Sequence, residues 1–368
     1  MHAPRSFSTL RTIAFVWLGV LAGFAIGAEW YRSREEPALP SGGIDLVGAG
    51  ATFPYPLYRR WFADYGATSG VRINYFSVGS AEGIRLMLDG SADFGAADRP
   101  LSSEERARAS CGPVEIPTVL GAVVAAYRLP GLSAPLRLDA DVLAEIFLGT
   151  ITRWDALRLR ALNPGVALPA LEIHPVQRAR PSGTSALFAQ YLDASPRWRE
   201  ARARIGARGR ELNAPGSRVE GNEGVTGEIS ARQGAIGVVE LTYAEQAGLA
   251  VAALQNEYGA FVLPTPRSIT RAAEEILSAS NEDTLTGVIG ATRPAAYPAV
   301  VLTRIIVDGA LADPARAAHF IAFARWALRD GAESAAEVGY AALPEAVTAR
   351  QLRRLDTLRP GTCPTLRP

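Results

Sequence analysis

The sequence predicts a two-domain α/β protein with a ligand cleft between the domains. Short β-like runs alternate with helical patterns, which is typical of a largely parallel sheet covered by helices. The chain has 368 residues, more than one hydrophobic core usually supports. Two long apolar runs, 119–127 and 300–307, lie far apart in the chain. Each is long enough to cross between domains as a strand, so we expect two crossing strands that act as a hinge.

The domain limits follow from these crossing strands. Residues 44–118 and 306–360 are predicted to form a discontinuous first domain. Residues 119–305 are predicted to form the second domain. Residues 1–43 precede both domains and form a separate segment.

The N-terminal segment has the character of a membrane element. Residues 12–28 carry no charge and follow Arg11, whereas Trp30 and Tyr31, which suit a membrane interface, come after them. We expect this stretch to enter the membrane, either as an uncleaved anchor or as a cleaved signal peptide. In both cases the rest of the chain lies outside the cytoplasm, in the periplasm or on the outer face of the cytoplasmic membrane.

Helical spacing is clear directly after the first predicted strand. Apolar residues recur every four positions, namely Leu57, Trp61 and Tyr65. Thr52, in the Gly-rich turn 48–54, is expected to cap this helix. A strand at 71–75 and a helix that begins at Ser80 continue the alternation.

Polar residues mark several further helix starts. The predicted N-caps are Ser102, Ser182 and Asp313. Ser102 is followed three positions later by Glu105, which is the pattern of a capping box. These signals place helices after the strands of both domains.

Composition and motifs exclude several classes of protein. The formal net charge is +1 and every basic residue is Arg, so no basic patch indicates a nucleic-acid partner. Gly48 and Gly50 lack the third glycine of a dinucleotide fingerprint. Neither His174 nor His319 can be placed beside a nucleophilic serine. We therefore expect no enzyme activity and no cofactor.

The sequence has two cysteines, Cys111 and Cys363. Two thiols so far apart, with no histidine at ligand spacing, do not indicate a zinc site. An exported compartment would permit them to form a disulfide. Both the disulfide and two unpaired thiols remain open at this point.

Three polar, Gly-bearing turns fall at strand-to-helix junctions: 50–53, 79–80 and 182–184. A helix start presents unpaired backbone N–H groups and the positive end of its dipole, and Ser or Thr adds a hydroxyl donor. Each turn alone can be an ordinary N-cap. Three such turns that converge would bind an anion.

A set of motifs in fixed order carries a resemblance to a known family. The motifs are 48–54, 78–80, 93–98 and 182–185, with weaker matches at 147–149, 153–155, 162–165 and 234–237. With these motifs the chain resembles the PstS family, the phosphate-binding receptors of bacterial phosphate ABC importers, over residues 44–350. The resemblance implies a type II-like periplasmic-binding-protein fold and delivery of inorganic phosphate to a permease. It implies a monomer outside the cytoplasm.

The resemblance also implies the ligand-binding residues. Phosphate would accept hydrogen bonds from Thr52, Phe53, Ser80, Ser182, Gly183 and Thr184. Arg178 would supply a nearby cation. Asp98 would accept the proton of hydrogen phosphate, which sulfate lacks, because two facing acceptors repel each other.

This chain departs from the family pattern at two places. Arg180 and Pro181 stand before Ser182, where the family commonly has Asp-Gly, and Glu82 interrupts the Gly-rich turn after Ser80. Arg180 raises the local positive potential, and three alternatives stay open for Glu82: it partly cancels that potential, it bonds Arg180 across the cleft, or both side chains face solvent. Two alternatives to a transport receptor are a membrane-tethered phosphate sensor and a phosphate-ester hydrolase on the same scaffold.

Overall fold

The computed structural model describes residues 45–132, 134–180, 182–205, 215–276, 287–309, 313–356 and 358. Its strands are β1 Asp45–Gly50, β2 Arg72–Ser77, β3 Phe94–Ala97, β4 Pro113–Tyr127, β5 Arg137–Leu138, β6 His174–Arg178, β7 Ser217–Val219, β8 Ala235–Glu240, β9 Ala250–Val251, β10 Ala253–Gln255, β11 Phe261–Val262, β12 Gly287–Ile289, β13 Ala299–Asp308 and β14 Ala341–Ala342. Its helices are α1 Tyr55–Ser69, α2 Ser80–Leu88, α3 Ser103–Arg108, α4 Ala140–Phe147, α5 Leu157–Leu162, α6 Gly183–Leu192, α7 Pro196–Ile205, α8 Gly221–Ala231, α9 Leu241–Gln246, α10 Pro266–Ile276, α11 Pro314–Arg329, α12 Gly331–Glu337 and α13 Glu345–Leu355.

One continuous sheet joins the two halves of the molecule, in the strand order β2-β1-β3-β13-β4-β8-β6-β7. The strand β4 is central to it. From Pro113 to Ala122 it pairs with β13, and from Val123 to Tyr127 it pairs with β8. We call the half built on β2, β1, β3 and β13 the first lobe, and the half built on β8, β6 and β7 the second lobe. The predicted two-domain α/β fold with long crossing strands is confirmed, whereas the exact domain limits stay a prediction.

Parallel pairing brings the polar turns to facing edges of the two lobes. In the first lobe β1 is parallel to both β2 and β3. In the second lobe β6 is parallel to both β7 and β8. The carboxyl ends of parallel strands lie at one edge of a sheet, where ligands of α/β proteins usually bind.

The helix α1 fixes the first of these turns. Its predicted apolar residues are all buried: Leu57, Trp61 and Tyr65. Its aromatic side chains pack against Phe94 of β3 and Phe323 of α11. This aromatic core holds the start of α1 against the end of β1.

Three of the four predicted helix caps are confirmed. Ser102 forms the capping box with Glu105, Asp313 accepts from the first turn of α11, and Ser182 accepts from the Ser185 amide. The prediction for Thr52 is wrong. The cap residue of α1 is Pro54, which has no side-chain cap hydrogen bond, and the Thr52 hydroxyl is engaged elsewhere.

Two predictions concern residues outside the described ranges. The membrane segment 12–28 lies there, and so does Cys363, the expected partner of the buried Cys111. Among the helices that are described, none is long and apolar enough to cross a membrane.

Candidate functional site

The three Gly-bearing turns predicted to bind an anion all connect a strand to a helix. They join β1 to α1, β2 to α2, and β6 to α6. The first two belong to the first lobe and the third to the second lobe. The site is therefore assembled across the cleft.

Thr52 and Phe53 form the first turn and are buried. The Thr52 hydroxyl accepts from Nδ2 of Asn222 at 3.1 Å, and the Thr52 carbonyl accepts from the Tyr243 hydroxyl at 2.8 Å. The Phe53 carbonyl accepts from the Tyr340 hydroxyl at 2.7 Å. These bonds orient the turn and join it to the second lobe through residues 222 and 243.

Asn222 and Tyr243 were missed by the sequence reasoning. Asn222 is fully buried at the start of α8, and its Oδ1 accepts from the Glu240 amide at 3.3 Å. It lies between Gly221 and Gly224 at a helix start, and this pattern resembles that of the predicted turns. Tyr243 follows β8 without any such pattern.

Ser80 and Asp98 lie side by side at the carboxyl edge of the first lobe. Ser80 is the first residue of α2, and its hydroxyl accepts from the Asp98 amide at 3.3 Å. Asp98 follows β3 directly and is buried. Its Oδ1 accepts from the Thr303 hydroxyl at 2.9 Å, so one carboxylate oxygen is already held by the protein.

The second lobe meets Asp98 at the start of α6. A Cβ atom built on Gly183 would lie 2.6 Å from the Asp98 Cβ and 3.1 Å from its Oδ2. Thr184, the next residue, is buried as well, and Ser182 is partly buried. The absent side chain at Gly183 thus permits the two lobes to close on each other.

Arg178 ends β6 and points toward the same region. Its Nη1 donates to the Ser182 hydroxyl at 3.2 Å. Its Nε is buried and has no hydrogen-bond partner among the described residues. This buried donor can therefore bond a ligand or an ordered water in the cleft.

Burial controls the titration of both charged groups. Burial raises the pKa of the Asp98 carboxyl to about 6, against the opposing effects of the Thr303 hydrogen bond and of Arg178 and Arg304. Burial also lowers the pKa of Arg178, and the negative charges of Asp98 and Glu223 oppose that shift. Asp98 and Arg178 therefore stabilise each other's charged form across the cleft.

The two departures from the family pattern are resolved by surface ion pairs. Glu82 bonds Arg85 on its own helix at 2.7 Å. Arg180 pairs with Glu220 at 3.1 Å, and its side chain is 73% exposed. The alternative of a bond between Glu82 and Arg180 is thus wrong, and both side chains are exposed. The pKa of the Glu82 carboxyl is lowered first by its bond to Arg85 and further by the charge of Arg180, so the two charges partly cancel. Pro181 lies outside the described residues.

His174 does not serve the serines of the site. Its Nε2 is 2.9 Å from the Ser217 hydroxyl, which in turn donates to Glu228. All three residues belong to the second lobe, at β6, β7 and α8. Ser182 instead contacts Arg178 and the first turn of α6.

The assembled groups match the needs of a protonated oxyanion. Helix starts, hydroxyl groups and one guanidinium supply donors. Asp98 contributes an acceptor in the same cleft, and a carboxylate is compatible with a bound anion only when that anion carries a proton.

The fold and site define a two-lobed anion-binding protein, and known proteins agree with that class. A family model described as a PBP superfamily domain matches residues 35–330. The chain is 36% identical over 304 residues to the phosphate-binding protein PstS of Xylella fastidiosa (strain 9a5c). The aligned residues cover 82% of this chain and 82% of the relative. It is 34% identical to the phosphate-binding protein PstS of Pasteurella multocida, covering 84% of this chain and 89% of the relative. The chain belongs to the PstS family within the PBP superfamily.

A solved structure agrees on the fold. The phosphate-binding protein of Stenotrophomonas maltophilia superposes with a TM-score of 0.62 at 18% sequence identity, covering 85% of this chain and 94% of the other. At that identity the likeness concerns the architecture of two lobes and a cleft.

Proposed function

We propose that this protein is an extracytoplasmic receptor that captures inorganic phosphate in the cleft and delivers it to an ABC-type importer. The observation that carries the proposal is the buried Nε of Arg178, which lacks a partner among the described residues. Arg178 donates through Nη1 to Ser182 at the start of α6, and the charge of the Asp98 carboxylate acts on its guanidinium. The relatives named above are themselves phosphate-binding proteins.

The proposed ligand set is the one implied by the resemblance to the PstS family. The phosphate would be surrounded by eight residues of the cleft: Thr52, Phe53, Ser80, Asp98, Arg178, Ser182, Gly183 and Thr184. Seven of these groups act as donors, and Asp98 takes the proton of hydrogen phosphate. The receptor would act as a monomer, held near the membrane by the segment 12–28 or released from it after cleavage.

Calorimetric titration of the purified protein with phosphate, arsenate and sulfate tests this function. We expect phosphate and arsenate to bind and sulfate to fail, because sulfate has no proton for Asp98 near neutral pH. The Asp98→Asn variant should bind phosphate more weakly and reject sulfate less, since an amide can donate as well as accept. Sulfate binding to the unmodified protein, or no binding of phosphate, would contradict the proposal.

A chromogenic phosphate ester distinguishes the receptor from a hydrolase. We expect no turnover, because His174 is hydrogen-bonded to Ser217 and not to a serine of the site. Turnover that is lost in Ser80→Ala or Ser182→Ala would favour the hydrolase instead.

A further inference from the structure

The strand β4 has an irregularity directly behind Asp98. Along the β4–β13 pair Thr303 lies opposite Val119, whereas the next residue, Arg304, lies opposite Pro117. Thr118 is therefore one extra residue in β4. This is a β-bulge, a feature that redirects side chains and that often lies beside functional sites.

Pro117 explains why the bulge lies at this position. Proline has no N–H group to donate to the neighbouring strand, so within a sheet it is confined to edges and bulges. Here the hydroxyl of Thr118 takes over as a donor, and it bonds the Thr303 carbonyl at 3.1 Å. The same hydroxyl is 2.9 Å from that of Tyr58 in α1. Thr303 is thus anchored through its main chain.

The anchored Thr303 directs its own hydroxyl at Asp98. It donates to Oδ1 at 2.9 Å, and both residues are buried, with Thr303 at 0% exposure. The other oxygen, Oδ2, is the one that faces Gly183 across the cleft. The two carboxylate oxygens therefore have different surroundings: Oδ1 is bonded to β13, and Oδ2 lies at the cleft beside Gly183.

Arg304, the next residue of β13, acts on the same carboxylate as a charge. It is fully buried and pairs with the buried Glu115 of β4 at 3.5 Å. A donor and a cation from consecutive residues both favour the charged form of an acid. They oppose the burial that would otherwise protonate it.

We propose that Thr303 is a positioning residue that holds Asp98 as a hydrogen-bond acceptor toward the ligand and thereby contributes to the rejection of anions without a proton. This inference rests on the proposed function, in which Asp98 reads the proton of phosphate. It adds a residue of the crossing strand to the specificity of the cleft.

The inference predicts a change in pH dependence. Other groups that act on or lie near Asp98 are the charges of Arg99, Arg178 and Arg304 and the buried phenols of Tyr58 and Tyr75. Thr303→Val keeps the shape of the side chain and removes its donor. The Asp98 pKa then rises further, and more of the carboxyl is protonated at a given pH. The protonation of phosphate changes with pH in the same way for both proteins. It therefore cancels in the ratio of variant to wild-type Kd, and the remaining pH dependence comes from groups of the protein.

The test is a phosphate titration of wild type and Thr303→Val from about pH 5 to about pH 8.5. We expect the Kd ratio to be small at the upper end and to increase about 10-fold as the pH falls, the effect of losing a hydrogen bond to a charged group. Sulfate binding should begin at a higher pH in the variant. Thr303→Ser, which keeps the hydroxyl, should restore the wild-type profile.

Two controls separate positioning from a structural defect. Ser268→Ala removes another buried hydroxyl, one that donates to the Leu263 carbonyl, and its Kd ratio should not vary with pH. In an Asp98→Asn background the Thr303→Val change should also give a flat ratio. Thr303→Ala replaces Thr303→Val in the same titration should the latter fail to fold.

The outcomes are distinguishable. A Kd ratio that stays constant over the pH range would overturn the role of Thr303, even if the affinity drops. A persistent pH-dependent ratio in the Asp98→Asn background would overturn it as well, because the effect would not pass through Asp98. Wild-type protein that binds no phosphate would instead refute the proposed function.

Discussion

The ionised carboxyl of Asp98 lowers the free energy of unfolding of the protein. Its pKa of about 6 lies above the ordinary value of 3.8 because the carboxyl is buried. Between these values the folded state binds more protons than the unfolded state, so the free energy of unfolding falls as the pH rises through this window. Above about pH 6 the loss is complete. Sites that bind ligands often contain such unfavourable groups.

Asp98→Asn should therefore stabilise the phosphate-free protein at neutral pH. We expect a gain on the order of 1–3 kcal/mol at pH 7.5 that vanishes below about pH 3, where the carboxyl is protonated in both states. Thermal unfolding in phosphate-free buffer at several pH values measures it. The control Asp89→Asn alters a surface carboxylate paired with Arg85 and should stay within about 0.5 kcal/mol. A gain that is the same at all pH values would contradict the assignment.

Arg178 and Arg180 should differ sharply although they are two positions apart. Arg178→Ala removes the buried cation and should weaken phosphate binding about 10- to 100-fold, which corresponds to roughly 1.4 to 2.8 kcal/mol. Arg180 is exposed and paired with Glu220, so Arg180→Ala serves as the matched control, with a change below about 2-fold. Titration of both singles and the double variant should give additive effects. A double variant that loses far more than the sum would mean that Arg180 moves into the cleft.

The residues of the site were predictable where local patterns determine them. A Ser or Gly at a strand-to-helix junction indicates a helix start, so the sequence predicts the positions of Ser80, Ser182 and Gly183. Thr303 could not, because its role depends on a register shift between strands almost two hundred positions apart in the chain. For Thr52 the local pattern predicts a helix cap, but its hydroxyl bonds Asn222 of the other lobe.

At the scale of elements, closure of the two lobes depends on the first residue of α6, Gly183, which has no side chain. A methyl group on Gly183 would lie 2.6 Å from the Asp98 Cβ, a distance that forces the lobes apart. Gly183→Ala should thus weaken phosphate binding by about 10-fold or more, since a change of about 1.4 kcal/mol in the closed state already has that effect. Calorimetric titration measures the affinity.

Gly227 of α8 is the matched control in the same lobe. A Cβ there meets nothing within 4 Å. Gly227→Ala should leave the phosphate affinity unchanged and stabilise the protein by up to about 1 kcal/mol, because alanine is the better helix former. Equal phosphate affinities of the two alanine variants would show that the lobes do not need to approach at Gly183.

The alternation of strands and helices was predictable because each element has its own apolar period, as α1 shows. The pairing of β4 with two different partners was harder to foresee. Its sequence is apolar on both sides of Ala122, and the apolar pattern does not distinguish the residues that pair with β13 from those that pair with β8. Partner choice in a buried strand depends on the whole sheet and not on local sequence.

At the scale of the whole molecule, the first lobe is assembled from distant parts of the chain. Cys111 is buried just before β4, and its amide donates to Asp308 at the end of β13. Cys363 is expected to close this region by a disulfide. Unreduced protein should take up no thiol reagent when unfolded, and reduction should lower its stability by about 2–4 kcal/mol. Mass spectrometry after alkylation detects the alternative, two free thiols.

The strand β4 also links the melting of one lobe to that of the other. Loss of the second lobe would strip its C-terminal part of β8, and loss of the first would strip its N-terminal part of β13. Either event would expose to water apolar residues of β4 that are buried in the intact sheet, which is costly. An intermediate with one intact lobe is therefore disfavoured, and the described two-lobed body should melt as a single cooperative unit.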